Sequence, residues 1–284
     1  MGKKKTSIAI PASVVSDTPH LREKTSKMGL IGRAAAIFKV NEIIIYPDNP
    51  RTSQTAEMDL IATLLAYMET PQYLRKRLFK IKPDLQFAGI LPPLRTPHHP
   101  LNRRAKNLQI GEYREGATVS MTKEGTLIDI GVEQPALLLN VQEPMDKRVT
   151  VRIAEIGKRV EIDLVDRDEA HGYWGYSVNI ETQSFGKLLR NRSFDLTIAT
   201  SKLGAPFNNV AEELAQKWEK ATNILVAFGA PSQGLYDIAK KEGLDLNRVV
   251  DFVINTFPVQ GTETVRTEEA LIASLAILNT CLRS

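Results

Sequence analysis

Residues 223–235, NILVAFGAPSQGL, carry an apolar run ending at Phe228, then Gly229 and Gly234 with Ala230, Pro231, Ser232 and Gln233 between them. The run suits a short buried strand, and glycine at a strand's carboxyl end lets main-chain N–H and C=O groups approach a ligand closely. Phosphate is the first ligand to consider. The pattern is neither G-x-G-x-x-G nor G-x-x-x-x-G-K-[ST], no lysine follows Gly234, and Pro231 removes one amide from any phosphate nest. An ordinary strand-to-helix turn is written with the same letters. Two further apolar runs end in similar chemistry: 196–199 leads into Thr200-Ser201-Lys202-Leu203-Gly204, and 251–255 into NTFPVQGTETVRTEEA at 255–270. In parallel α/β sheets ligands lie at the carboxyl ends of strands. Three loops there, rich in Gly, Pro and small hydroxyls, make a pocket lined mainly by main chain, which suits an adenine or a ribose better than a triphosphate. No Asp pair with Mg²⁺ spacing and no metal-ligand cluster stands out. The single cysteine, Cys281, excludes an internal disulfide and is expected as a packed thiol on an apolar helix.

A second chemistry lies upstream. Residues 71–106 hold Arg75, Lys76, Arg77, Lys80, Lys82, Arg95, Arg103, Arg104 and Lys106 against one acid, Asp84, in a chain whose net charge is only +4. This concentration is the footprint of a phosphate-backbone partner, and nucleic acid is expected there. His98 and His99, flanked by prolines, are expected as exposed linker residues within reach of RNA. Prolines at 83, 92, 93, 97 and 100 break any long amphipathic helix suited to a membrane surface. No apolar run approaches bilayer length and no signal-peptide core follows Met1–Lys5, so the chain reads as cytoplasmic.

The elements that must position these residues fall into three textures. In residues 1–92, Ser7–Ile10 reads as a strand, and Asp17-Thr18-Pro19 as the start of a helix carrying Met28, Ile31, Ala35 and Phe38. Glu42–Tyr46 reads as a buried strand, and Met58, Ile61, Leu65 and Met68 as one face of a second helix. This βαβα order makes a parallel sheet the default. In residues 93–170 the period changes to two: TLIDIGV, RVTVRI and RVEIDLV alternate as half-buried strands do, and about five short strands suit a small OB-type barrel, with LPPLRTPHHP as its entry linker. Residues 171–284 return to α/β, with strands at 196–199, 223–228 and 251–255. Leu271, Leu275, Leu278 and Leu282 put one apolar face on the final helix, which fits either a subunit interface or an internal core.

Several of these segments resemble the SPOUT class of S-adenosylmethionine-dependent RNA methyltransferases. FGAPSQGL is similar to that class's glycine loop, INTFP to its strand-proline segment, and TVRTEEA stands at the start of its last helix. GLIGRAAAIFKVNEIIIY at 29–46 resembles its first motif, a helix bearing an arginine, here Arg33, before a strand. METPQYLRK at 68–76 and ILPPLRTPHHP at 90–100 resemble one archaeal and eukaryotic branch with an OB-like insert, and the resemblance covers nearly the whole chain. It implies an α/β fold with a C-terminal trefoil knot, interrupted by the barrel, and a homodimer in which Arg33 reaches a donor site. S-adenosylmethionine, leaving as S-adenosylhomocysteine, would be held by Thr200, Ser201, Gly229, Ala230, Pro231, Gly234, Leu235, Asn255, Thr256, Phe257, Gln260, Gly261, Thr262, Thr264 and Val265. RNA would be held by Arg75, Arg77, Arg95, His98, His99, Arg103, Arg104 and Lys106. Pro231 and Arg266 stand where many ribose-methylating relatives have Glu and Asn, and the branch is linked instead with methylation of a uridine ring nitrogen in ribosomal RNA.

Such a transfer is an in-line displacement from an activated donor, so the protein mainly positions the acceptor and assists proton removal, with no metal required. Arg33 would hold an acceptor oxygen or phosphate, or else pair with an acid such as Glu42. Glu263 is the candidate base, or else a helix-capping carboxylate. Arg266 borders the same loop. Rival readings are an RNA-binding assembly factor without turnover and an OB-type protein whose α/β part binds ATP or GTP.

Overall fold

The computed structural model describes the backbone of residues 4–282 and the side chains of residues 4–280. In chain order, β1 (Lys5–Pro11), α1 (Leu21–Ile37), β2 (Glu42–Tyr46), α2 (Thr55–Glu69) and α3 (Gln72–Leu78) come first. Five strands follow: β3 (Tyr113–Met121), β4 (Gly125–Asp129), β5 (Ala136–Leu139), β6 (Arg148–Ile156) and β7 (Val160–Leu164). The chain then runs through β8 (Ser177–Ile180), α4 (Phe185–Asn191), β9 (Leu196–Pro206), α5 (Phe207–Lys220), β10 (Asn223–Ala227), α6 (Leu235–Lys241), α7 (Leu246–Val249), β11 (Phe252–Asn255) and α8 (Thr267–Leu282). Two compact units result. One comprises the chain up to Ala66, Asp84–Pro92 and everything from Tyr176 on; the other comprises Tyr67–Pro83 and Pro93–Gly175.

The first unit is built on a parallel sheet of order β11-β9-β10-β1-β2-β8. Its central strands are apolar on both faces because helices cover both: Ile8, Ile10, Ile43, Ile45, Leu225 and Val226 are all fully buried. Met58, Ile61, Leu65 and Met68 are buried on α2 as their spacing predicts. α1 begins later than expected, at Leu21 with His20 at its cap. Asp17 does not cap it; its carboxylate accepts instead from the buried Lys27 ammonium at 2.6 Å, a stronger partner than a helix amide. The 200–204 stretch, expected as a loop after a four-residue strand, lies inside the longer β9. There β11 pairs Val253 with Ala199 and Ile254 with Ala205, so the five residues between loop out of the ladder. A Cβ on Gly204 would sit 2.7 Å from the Val253 carbonyl oxygen, which is why glycine stands at that fold-back. Leu271, Leu275 and Leu278 on α8 are buried within this unit, where α8 packs on α1 and α5, so they form internal core and not a free subunit interface. The side chains of Cys281 and Leu282 lie outside the described residues.

The second unit is a closed five-stranded barrel of order β3-β4-β5-β7-β6. Val149, Val151 and Ile153 on β6 and Val160 and Ile162 on β7 point inward with Ile128, Ala136 and Leu138, while Arg152 and Asp163 face out and pair at 3.0 Å. Closure needs irregular register, and bulges interrupt β3–β4 near Thr118 and β6–β7 near Ile153. Tyr73 of α3 packs under Gly131, where any Cβ would strike its ring, and its hydroxyl donates to the Glu115 carbonyl at 2.8 Å.

Candidate donor cleft and basic surface

The loop-out inside β9 and the loops after β10 and β11 converge on one cleft of about 270 Å³ in the first unit. Thr200 and Ser201 line it from the β9 loop-out, Gly229, Ala230, Pro231 and Gly234 from the β10 exit, and Asn255, Thr256, Phe257, Gln260, Thr264 and Val265 from the β11 exit. These loops are pinned largely by uncharged groups. Three consecutive carbonyls leaving β10 are each capped by a hydroxyl from a different element: Ala227 by Thr200 (3.0 Å), Phe228 by Tyr46 (2.8 Å) and Gly229 by Thr267 (3.0 Å). Left bare, such carbonyls would be costly at this depth. Burial, with Asp48 and Glu242 nearby, pushes the Tyr46 phenol well above its usual range, so it stays a donor. On the β11 exit, Asn255 donates to the Lys202 carbonyl at 2.9 Å and accepts from the Phe257 amide at 2.8 Å, tying the β9 and β11 loops together.

Gly229 is required by crowding, not by an unusual backbone angle. A Cβ there would meet the Gly234 Cα at 3.1 Å, the Gln233 carbonyl at 3.2 Å and the Leu235 nitrogen at 3.2 Å. Around Gly234 nothing lies within 4 Å of an added Cβ, so its glycine is not required by space.

The structure separates some residues expected together. Leu235 is a fully buried core residue of α6 and does not line the cleft, and neither do Gly261, Thr262, Glu263, Arg266 or Arg33. Glu263 and Arg266 are exposed; the Arg266 amide is capped by Glu269 at 2.9 Å. Glu42, considered as a partner for Arg33, accepts from Arg192 (2.6 Å), Asn179 (2.6 Å) and Ser7 (3.0 Å). The charged side chains lining the cleft are Lys202 and Asp237, which the sequence reading passed over. Their signal was adjacency: Lys202 sits inside the expected 200–204 loop and Asp237 three residues past Gly234.

All nine cations of the 71–106 stretch belong to the barrel unit. Lys76, Arg77, Lys80, Lys82, Arg95, Arg103, Arg104 and Lys106 are exposed. Arg77 reaches Asp146 at 3.2 Å and Arg104 reaches Glu133 at 3.3 Å, both surface pairs of small energetic weight. Arg75 is different. Its guanidinium donates to the Thr70 and Met68 carbonyls at the end of α2 (2.9 and 3.0 Å) and stacks on Tyr67, so it closes a helix end.

His98 corrects the reading of the proline-rich stretch as an exposed linker. Its ring is 0% exposed and sits 3.1 Å from a carboxylate oxygen of Glu69, and both His98 and His99 contact the Glu69 carbonyl, at 3.0 and 2.7 Å. Glu69 also takes Arg148 (2.6 Å) and Arg167 (2.5 Å), while Glu115 takes Arg148 (2.5 Å), Thr150 (2.9 Å) and the Trp174 indole (2.7 Å). Burial would raise the Glu69 carboxyl, but Arg148, His98 and Arg167 outweigh it and hold the group below the usual carboxylate range. Burial lowers His99 to about 4, with His98 adding to the effect.

Among the described residues no group of three or more His, Cys, Asp or Glu is placed to hold a metal ion, and no helix is long and apolar enough to cross a membrane. The family model described as "Putative RNA methyltransferase" matches residues 5–278. The 28S rRNA (uridine-N(3))-methyltransferase of Homo sapiens is 32% identical over 96% of this chain and 77% of its own length, and that of Drosophila melanogaster 34% identical over 96% and 61%. An uncharacterized protein of Haloarcula marismortui is 32% identical over 96% of this chain and 98% of its own. With the match running from β1 to α8, this chain belongs to that RNA methyltransferase family.

Proposed function

We propose that this protein transfers a methyl group from S-adenosylmethionine to a uridine ring nitrogen of large-subunit ribosomal RNA. The observation that carries the reading is the cleft: in a chain of an RNA methyltransferase family, a loop-out of β9 and two strand-end loops converge on it, pinned by hydroxyls and lined largely by small and uncharged residues. The residues present fit the donor. The crowded Gly229 loop offers a cradle of main chain for an adenine and ribose, and Lys202 and Asp237 offer opposite charges for the donor's carboxylate and ammonium. When bound, the donor supplies an already activated methyl group. The protein's part is then to fix the acceptor in line and to accept the proton of the ring nitrogen. Arg33 would hold the acceptor, with Glu263 as base and Arg266 beside it. In this reading the protein is a homodimer in which Arg33 of one copy reaches the cleft of the other. The β9–α8 segment is threaded as the trefoil knot of the SPOUT class, and the barrel is of OB type, presenting Arg77, Arg95, Arg103, Arg104 and Lys106 to RNA.

The test is transfer itself. Purified protein incubated with S-adenosylmethionine and a large-subunit ribosomal RNA fragment should yield one N3-methylated uridine on mass mapping. A methyl on ribose, or none, would contradict the reading; donor and RNA binding without product would mark an assembly factor instead.

A further inference from the structure

Asp48 follows β2, is 3% exposed, and does not line the cleft. Its carboxylate nonetheless collects donors from three loops. One oxygen accepts the Ser13 amide at 3.1 Å and the Gln54 side-chain amide at 3.0 Å. The other accepts the Ser13 hydroxyl at 2.5 Å and the Gln233 side-chain amide at 2.5 Å. Gln54 is itself held, its carbonyl accepting the Asp48 and Asn49 amides at 2.9 Å each. Ser13, Asp48 and Gln233 come from the exits of β1, β2 and β10, which are neighbours in the sheet.

Gln233 lies on the cleft side of this junction. Its side-chain carbonyl accepts from Lys241 while its NH₂ donates to Asp48, so both ends of the amide are committed and only one orientation satisfies them. Its main-chain carbonyl accepts the Ala230 amide at 2.9 Å and closes the turn 230–233 that walls the cleft. Between Gly229, pinned by Thr267, and α6, the loop is held by this turn bond, the Asp48 clamp, the Lys241 contact and the Gly234 amide donating to Asp237 at 3.3 Å.

We infer that Asp48 is a positioning residue for the glycine loop: through Gln233 it holds residues 229–235 in the donor-binding arrangement. The inference rests on the reading of the cleft as the S-adenosylmethionine site. A loop released from Asp48 would be binding-competent for only a fraction of the time, and the apparent affinity falls by that fraction.

The geometry allows a test by exchange of polarity. Gln233→Glu sets two carboxylates face to face, and Asp48→Asn sets two NH₂ groups face to face. In the double variant the amide now at position 48 donates to the carboxylate now at position 233 and to the Ser13 hydroxyl, which turns to accept. Lys241 still donates to the side chain at 233. Calorimetric titration with S-adenosylhomocysteine, together with thermal melting, should show affinity reduced by about tenfold or more in each single variant and returned to within about threefold of wild type in the double variant. Asp48 is buried, so Gln233→Ala, at a half-buried site, is the second variant to use where substitution at 48 prevents folding. It should lose about tenfold in affinity with little change in melting. Unchanged affinity in Q233E or Q233A, or a folded double variant no better than its worse parent, overturns the proposal. Wild-type protein that binds no S-adenosylhomocysteine would instead remove the reading of the cleft, and this inference with it.

Discussion

The two units fix their working parts by opposite means. In the sheet unit the loops around the cleft are pinned by hydroxyls and amides: Thr200, Tyr46 and Thr267 on three successive carbonyls, and Asn255 between two loops. In the barrel unit a charged network does the fixing, with Glu69 and Glu115 sharing Arg148 and Glu69 also holding Arg167 and His98. Neutral pins add little field of their own to the cleft. A buried ionic network gives geometry at the cost of sensitivity, because removing one partner strands the others. The hydroxyl and amide pins around the cleft should therefore respond less to pH and salt than the Glu69 network does.

The hardest blow to that contrast is at Glu69. Glu69→Gln removes the carboxylate that Arg148, Arg167 and His98 share and should destabilise the barrel unit by about 3–5 kcal/mol in denaturant unfolding. Hydrogen exchange in β1 and β10 should change far less. Acid should act in two stages. His99 is lowered from 6.5 to about 4, so the folded state resists its protonation; that stability is full above pH 6.5 and is lost as pH falls toward 4, up to about 3 kcal/mol. Glu69 is depressed, so its contribution is present above its ordinary 4.5 and is lost only at lower pH. His99→Gln should flatten the first stage of a stability-versus-pH curve and leave the second.

Salt sharpens the contrast further. Replacing Arg103, Arg104 and Lys106 by alanine should flatten the salt dependence of RNA binding by about two log units per tenfold salt, at about 0.7 per lost contact. Affinity for S-adenosylmethionine should not move. An unchanged slope in the folded triple variant would assign RNA to another surface. The smallest effect is expected at Gly234→Ala: with open space around the added Cβ, melting should stay within about 0.5 kcal/mol of wild type.

What the sequence made legible was local. Alternation at Val149, Val151 and Ile153 marked the barrel wall, and Gly229 announced close packing. The loop-out at 200–204 was visible as a run of small and polar residues, but not that β9 resumes beyond it, because resumption depends on pairing with β11. The pins of the cleft were illegible for a related reason. Tyr46 reads as the end of an apolar strand, and only folding brings its hydroxyl to a carbonyl 182 residues away. Asp48 follows Pro47 with no motif to single it out. His98 misled in the opposite direction: proline neighbours suggest exposure, whereas the acceptor waiting at Glu69 lies on a preceding helix and sets its burial.

The most direct test of the account is calorimetric titration of S-adenosylmethionine into wild-type protein and a Gly229→Val variant, each checked for a native melting profile. The branched side chain added at 229 must push against the Gln233 carbonyl and the Gly234 backbone, closing the cradle from within. The account predicts one site per chain in the wild type and a loss of about a hundredfold or more in the variant, worth about 2.7 kcal/mol or more. A folded Gly229→Val protein that binds with undiminished affinity would contradict it.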